Sequence, residues 1–335
     1  MLRKFVLPFI FAFTLIVSAC APVATPAPTS TPEPAATETS APVETATAAA
    51  TATTAAITLT DGLGRSITLA GPAQQIVSLA PSSTEILFAI GAGSQVIGRD
   101  TNSDYPEEAK KVTDIGGSDS YNKVNAEAIL AVHPDLVLAA DITPQEQIKS
   151  LEDLGLTVFM LPNPTDLNGM YENLRTAAQL TGRASETETL IASLQARVKT
   201  VEAKIATVSE KPLVFYEIDG TDVKAPWTAG PGSFVNTMIG LAGGVNVGAS
   251  MKDQWAQISQ EELVKQDPQI IVLGDAIWGG VTAEQVKQRA GWENISAVKN
   301  DKIYPFDDSL MSRPGPRLVD GLETLAKLLH PDLFK

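Results

Sequence analysis

Two stretches decide the fold because they say the same thing twice: Glu127-Ala-Ile-Leu-Ala-Val-His-Pro-Asp-Leu-Val-Leu138 and Glu261-Glu-Leu-Val-Lys-Gln-Asp-Pro-Gln-Ile-Ile-Val272. In each, a short amphipathic run stops before a proline, where further helix is disfavoured. An apolar run follows, of the kind presented by a parallel strand covered on both faces. Asp141 and Asp275 then fall at the same offset, near the carboxyl end of each strand. A second pair precedes the first in the same order. Ser83 leads, after a helix-length run, to Ala92-Gly-Ser-Gln-Val-Ile-Gly98, and Ser233 leads at the same spacing to Ala242-Gly-Gly-Val-Asn-Val-Gly248. Two matches in one order mark an internal repeat, hence two equivalent lobes.

The neighbouring segments fit alternating strand and helix. Ile57–Thr60 and Ser66–Leu69 flank Asp61-Gly-Leu-Gly64 and read as a hairpin. Ile76 to Ala80 and Leu213 to Ile218 are apolar strands leading into the two equivalent helices, with a longer loop in the second case. Ser82 and Glu85, and again Ser185 and Glu188, have capping-box spacing. Between the halves, Asp166 to Leu180 reads as a helix stopped by Gly182. From Ala184 to Ser209, Leu190, Leu194, Val198, Val201, Ile205 and Val208 mark one face of a second helix, about 38 Å long. The expected fold is α/β: two Rossmann-like lobes with central sheets, joined by a single long α-helix, with a ligand cleft between them. The lobes are assigned to 57–165 and 211–335 and the helical linker to 166–210.

The first fifty-odd residues are of a different kind. Arg3 and Lys4 precede an apolar run from Phe5 to Val17, too short to span about 30 Å of hydrocarbon with margin. This is the shape of a secretory signal peptide, assigned to 1–19. Val17-Ser-Ala-Cys20 resembles a bacterial lipobox, and Cys20 is the only cysteine in the chain. Acylation there anchors the protein to the outer face of the membrane. Residues 20–56 are almost entirely Ala, Pro, Thr, Val, Ser and Glu, which bury too little apolar surface to offset ordering, and read as an extended tether.

Composition excludes several functions. The 335 residues carry a formal charge of −14, which disfavours a nucleic-acid partner. One Cys and two His disfavour a Cys/His metal site. Neither Gly-x-Ser-x-Gly nor the phosphate loop Gly-x-x-x-x-Gly-Lys-Ser/Thr occurs. Asp307 and Asp308, adjacent on an expected strand, diverge to opposite faces. No catalytic or metal residue is assigned.

Open α/β sheets bind ligands at their strand carboxyl ends. The candidate walls are therefore Pro81 to Thr84, Asn102 to Tyr105 and Gly116 to Asn122 in the first lobe. In the second they are Trp227 to Ser233, Trp255, Trp278 and Asp307 to Arg313. Helix starts at Ser83 and Ser233 offer backbone N–H donors. The three tryptophans suit a large, partly apolar ligand.

From Ile57 onward the chain resembles the substrate-binding proteins of ABC importers for cobalamin, haem and iron-siderophores. The residues that carry the resemblance are Ile76-Val-Ser-Leu-Ala-Pro-Ser-Ser-Thr-Glu-Ile-Leu87, Asn102-Ser-Asp-Tyr-Pro106, His133-Pro-Asp-Leu-Val137 and Ser312-Arg-Pro-Gly-Pro-Arg317. Ser103-Asp-Tyr-Pro106 and Trp227-Thr-Ala-Gly-Pro-Gly-Ser-Phe234 are most like the cobalamin branch. The resemblance implies a carrier with no enzymatic activity and no cofactor, working as a monomer with a permease and its ATPase. It implies that Glu127 and Glu261, one per lobe, dock onto permease arginines. Ligand contacts are assigned to Ser82, Ser83 and Trp227 from the candidate walls, and the resemblance implies others near Asn102, Tyr121 and Trp255 and at Arg313. Position 102 is Asn where the cobalamin-type pattern has an aromatic, and Tyr121 lies near the axial tyrosine of haem-binding relatives, so haem or a ferric siderophore is the alternative ligand. Outside the family, a secreted hydrolase or an adhesion module remains as a contrasting reading.

Overall fold

The computed structural model describes residues 55–117 and 123–335; Cys20, Tyr121, the signal peptide and most of the tether lie outside them. The first lobe opens with the antiparallel hairpin β1 (Ile57–Thr60) and β2 (Ser66–Leu69). Then come β3 (Ile76–Ser78), α1 (Pro81–Ala89), β4 (Val96–Arg99), β5 (Thr113–Asp114), α2 (Ala126–Ala131), β6 (Leu136–Ala140), α3 (Gln145–Asp153) and β7 (Val158–Leu161). The helices α4 (Leu167–Thr181) and α5 (Ala184–Ile205) follow. The second lobe holds β8 (Leu213–Glu217), β9 (Trp227–Ala229), α6 (Phe234–Leu241), β10 (Val245–Asn246), β11 (Trp255–Gln257), α7 (Gln260–Gln266) and β12 (Ile270–Leu273). It ends with α8 (Ala283–Lys287), α9 (Ser296–Lys299), β13 (Ile303–Pro305), α10 (Ser309–Ser312) and α11 (Leu318–Leu329).

The repeat in the sequence is a repeat in topology. The first-lobe sheet runs β5-β4-β3-β6-β7 and the second β10-β8-β12-β13, parallel throughout. Strands β4-β3-β6-β7 thus match β10-β8-β12-β13 one for one. The likeness extends to detail. Asn125 and Ser259 cap α2 and α7, each accepting from a backbone N–H three residues on. His133 and Asp267, the equivalent residues before proline, both hold left-handed φ, 51° and 53°. That conformation is costly for residues other than glycine, and its appearance at both sites shows one shared helix-to-strand connection.

Alternating burial makes each lobe a three-layer sandwich. In β6, Leu136 and Leu138 enter one apolar cluster while Val137 and Ala139 enter another; in β12, Ile270 and Val272 oppose Ile271 and Leu273 in the same way. One cluster is continuous from the first lobe through α4 and α5 into α6 and α11 of the second. The linker helix is therefore braced along its length on α4 and α11 rather than free-standing. Its buried stripe is Thr187, Ile191, Leu194, Val198, Val201 and Ile205, with Leu190 at the margin, and its 22 residues span about 33 Å.

Other expectations need correction. Neither capping box forms. Helix α1 starts at Pro81 with no side-chain cap, because proline needs no N–H partner and Glu85 is turned inward to the second lobe. Helix α5 likewise lacks a side-chain cap, and Glu188 instead bonds Arg175 on α4. Asp166 does cap α4, which Gly182 ends at φ 74°, the left-handed position where glycine is least strained. Asp307 and Asp308 lead into α10 and are not on a strand; the Tyr216 hydroxyl donates to Asp308 at 2.8 Å.

Candidate functional site

A cavity of about 360 Å³ lies at the carboxyl ends of β3, β6 and β7. Ser82 at the start of α1, Asp141 and Ile142 after β6, and Asn163 after β7 form its first-lobe wall, with Asn173 from α4. Ser312, Arg313 and Pro314 close it from the second lobe. The strand ends bring polar groups to one wall because a parallel sheet points all its carboxyl-end loops the same way.

Arg313 is held across the lobes. Its guanidinium pairs with Asp104 at 2.5 Å and Glu85 at 3.3 Å, and donates to the Asn102 carbonyl at 3.4 Å. Arg317 grips the same Glu85 through two bonds of 2.8 and 2.6 Å, with its charge 4.0 Å above the Tyr105 ring. Bidentate arginine–carboxylate pairs fix orientation as well as supplying energy. Two second-lobe arginines thus close on one buried first-lobe carboxylate and tie the two lobes together beside the cavity.

On the second lobe, β9, in the long β8-to-α6 connection, pairs antiparallel with β11, which follows β10, to form a two-stranded ribbon. Trp227 and Trp255 are placed on these strands, not in loops. Trp255 pairs with Ala229 and Gln257 with Trp227, so the period-two pleat puts both indoles on one face, where they are exposed. Trp292, by contrast, is fully buried against Phe215.

At the carboxyl ends of β8 and β12, Glu217 and Asp275 are both buried. Arg289 pairs with Glu217 in a fork and stacks on Trp292. Asp275 accepts from the Gly220 N–H at 2.8 Å, while its second oxygen has no partner among the described residues. Burial, reinforced by the neighbouring Glu217, pushes the Asp275 carboxyl up to about 7.

The expected site residues separate into groups. Ser82 and Arg313 line the cavity and Asn102 adjoins it through Arg313. Trp227 and Trp255 form the exposed ribbon of the second lobe. Ser83 is wholly buried, its hydroxyl without a partner among the described residues and away from the cavity wall. Ser233 caps α6, accepting from the Asn236 N–H at 3.1 Å. Glu127 and Glu261 are exposed in the first turns of the equivalent helices α2 and α7. Sequence reading missed Glu85, Asp104 and Arg317 as an interlobe clasp. The two arginines flanking Pro-Gly-Pro were the available signal, but their partners lie more than 200 residues away.

The sequence profile of the family described as periplasmic binding protein matches residues 76–310. The uncharacterized ABC transporter substrate-binding lipoprotein YvrC of Bacillus subtilis (strain 168) is 34% identical over 285 residues, covering 83% of this chain and 87% of that protein. A cobalamin-binding protein of Halobacterium salinarum (strain ATCC 29341 / DSM 671 / R1) is 28% identical, over 82% of this chain and 74% of its own length. Among solved structures, the periplasmic heme-binding protein RhuT from Roseiflexus sp. RS-1 superposes with a TM-score of 0.70 at 26% identity, over 78% of this chain and 99% of that one.

Proposed function

The chain belongs to the periplasmic binding protein family, and from that premise we propose that it captures a corrinoid, cobalamin foremost, between its two lobes outside the cytoplasm. It is the substrate-binding component of an ABC importer, a carrier and not an enzyme. Its work is differential affinity, tight when free and weaker when docked on the permease. The crevice supports this reading: a largely apolar first-lobe cavity with a few polar groups, closed by Arg313, and, on the second lobe, an exposed indole pair suited to a broad apolar face.

Cys20 carries the acyl anchor and residues 20–56 the tether, which holds the protein, working as a monomer, at the outer face of the cell membrane. The lobes are residues 57–165 and 211–335, with 166–210 the linker between them. Glu127 and Glu261 dock one lobe each onto the permease, whose transport is driven by its ATPase. Their likeness of setting supports the pairing: both are exposed, in the first turn of matching helices, where a carboxylate also suits the helix dipole. Ser82, Asn102, Trp227, Trp255 and Arg313 contact the solute, with Tyr121 from 118–122; Ser83 supports them from inside the lobe.

Haem is the second reading, favoured by the RhuT likeness. A haem iron takes an axial side chain, and neither histidine is placed to give one. His133 sits in the α2–β6 connection and His330 contacts the Gly243 carbonyl at 3.1 Å. Tyr121, which by the family resemblance lies near the axial tyrosine of haem-binding relatives, is the axial candidate. Incubating the protein with cyanocobalamin, haemin and a ferric siderophore in turn, then filtering by size, tests the proposal. Cobalamin absorbance co-eluting with protein supports it; haemin alone co-eluting favours the second reading; turnover of a solute contradicts both.

A further inference from the structure

We infer that Trp278, with Ile277 beside it, is a solute-contacting jaw of the second lobe, equivalent to the turn that carries Ile142 in the first. The inference rests on the solute-capture reading and names a contact beyond it. Ile277, Trp278 and Ile142 are 68%, 60% and 54% exposed, the three most exposed large apolar residues among those described. All three stand on the turns that leave β6 and β12, strands which the repeat and the sheet order make equivalent. Ile142 lines the cavity. The three extremes of surface apolar exposure fall on the two equivalent turns of the repeat, and exposed apolar clusters mark binding surfaces.

The turn is also built to hold its side chains out. The Gly279 N–H donates to the Asp275 carbonyl at 2.9 Å, closing it, as the Thr143 N–H donates to the Ala140 carbonyl at 2.8 Å in the first lobe. The buried Asp275 side chain then ties it, through the Gly220 N–H, to the β8 loop that leads to Trp227. An aromatic on a pinned turn loses little freedom when it meets a ligand. The turn also lies toward the crevice. Strand β12 pairs with β13, Leu273 opposite Pro305, and the loop after β13 carries Arg313 into the cavity. At about 360 Å³ the cavity is at the low end for drug-sized ligands. A macrocycle larger than that must spread beyond it, onto apolar surface of the facing lobe.

The test is equilibrium dialysis of the full chain against cyanocobalamin and, separately, haemin, comparing wild type with W278A and W278F. Trp278 is exposed and outside the core, so the urea midpoint of both variants should match wild type. For the solute that wild type retains, W278A should raise Kd about tenfold and W278F should restore most of the loss. A rise of fivefold or more supports the jaw; a smaller one in a folded W278A overturns it. Wild type retaining neither solute defeats the capture reading itself, and the jaw with it.

Discussion

Glu85 offers the sharpest test of how the two lobes are held together. Its carboxylate is 1% exposed and takes three guanidinium contacts, two from Arg317 and one from Arg313, both from the other lobe. Arg317 is itself only 14% exposed. In Glu85→Ala these arginines lose a buried counter-charge across the interlobe boundary. Breaking one side of a buried pair costs about 3–5 kcal/mol, because the remaining charge stays desolvated. With a urea m-value of about 3 kcal/mol/M for a domain of this size, the midpoint should fall by 1 M or more. Glu85→Gln, which keeps acceptor and shape but not charge, should fall in between. The exposed pair Lys149–Asp153, 72% and 64% exposed, is the internal control. Asp153→Ala should leave the midpoint nearly unchanged, since water screens both charges. Urea unfolding followed by far-ultraviolet circular dichroism measures all three. If Glu85→Ala matched Asp153→Ala, the clasp would be an incidental contact and not what ties the lobes together.

Two further predictions follow from other parts of the molecule. Asp275 titrates near 7 when folded against 3.8 ordinarily, so the folded state holds a proton that the unfolded chain releases. Its contribution to stability is complete below pH 4 and is lost as pH rises to about 7. At about 1.4 kcal/mol per pH unit the gap is worth on the order of 4 kcal/mol. Between pH 4 and 8, wild type should lose about that much relative to Asp275→Asn in urea titrations; Asp100 and Asp308, also raised by burial, contribute alike to both proteins, and parallel curves would refute the assignment. Replacing both Glu127 and Glu261 with Ala should abolish import in cells while leaving solution affinity unchanged, and retained import would remove the docking role.

How far the sequence could be read depended on the range of the interactions. Strands such as Leu136–Ala140 and Ile270–Leu273 were legible because each is a local apolar run punctuated by proline, and the doubling of the pattern made the lobe repeat visible. Gly182 and Asp166 marked the limits of α4 because end effects are local. Glu85 shows what was hidden. Its spacing from Ser82 satisfied a local rule, yet a partner at Arg317 won the side chain, since a buried carboxylate gains more from two guanidinium bonds than from a helix cap. Trp227 and Trp255 were legible as residues but not as a ribbon, because three-residue strands carry too short a pattern to announce themselves.

The central claim is one bulky solute held between two lobes. Calorimetric titration of cyanocobalamin into the purified protein tests it most directly. The account predicts saturation at one molecule per chain, with a negative heat-capacity change from burial of apolar surface. Absence of saturable heat with cyanocobalamin, or saturation at two per chain, would contradict it.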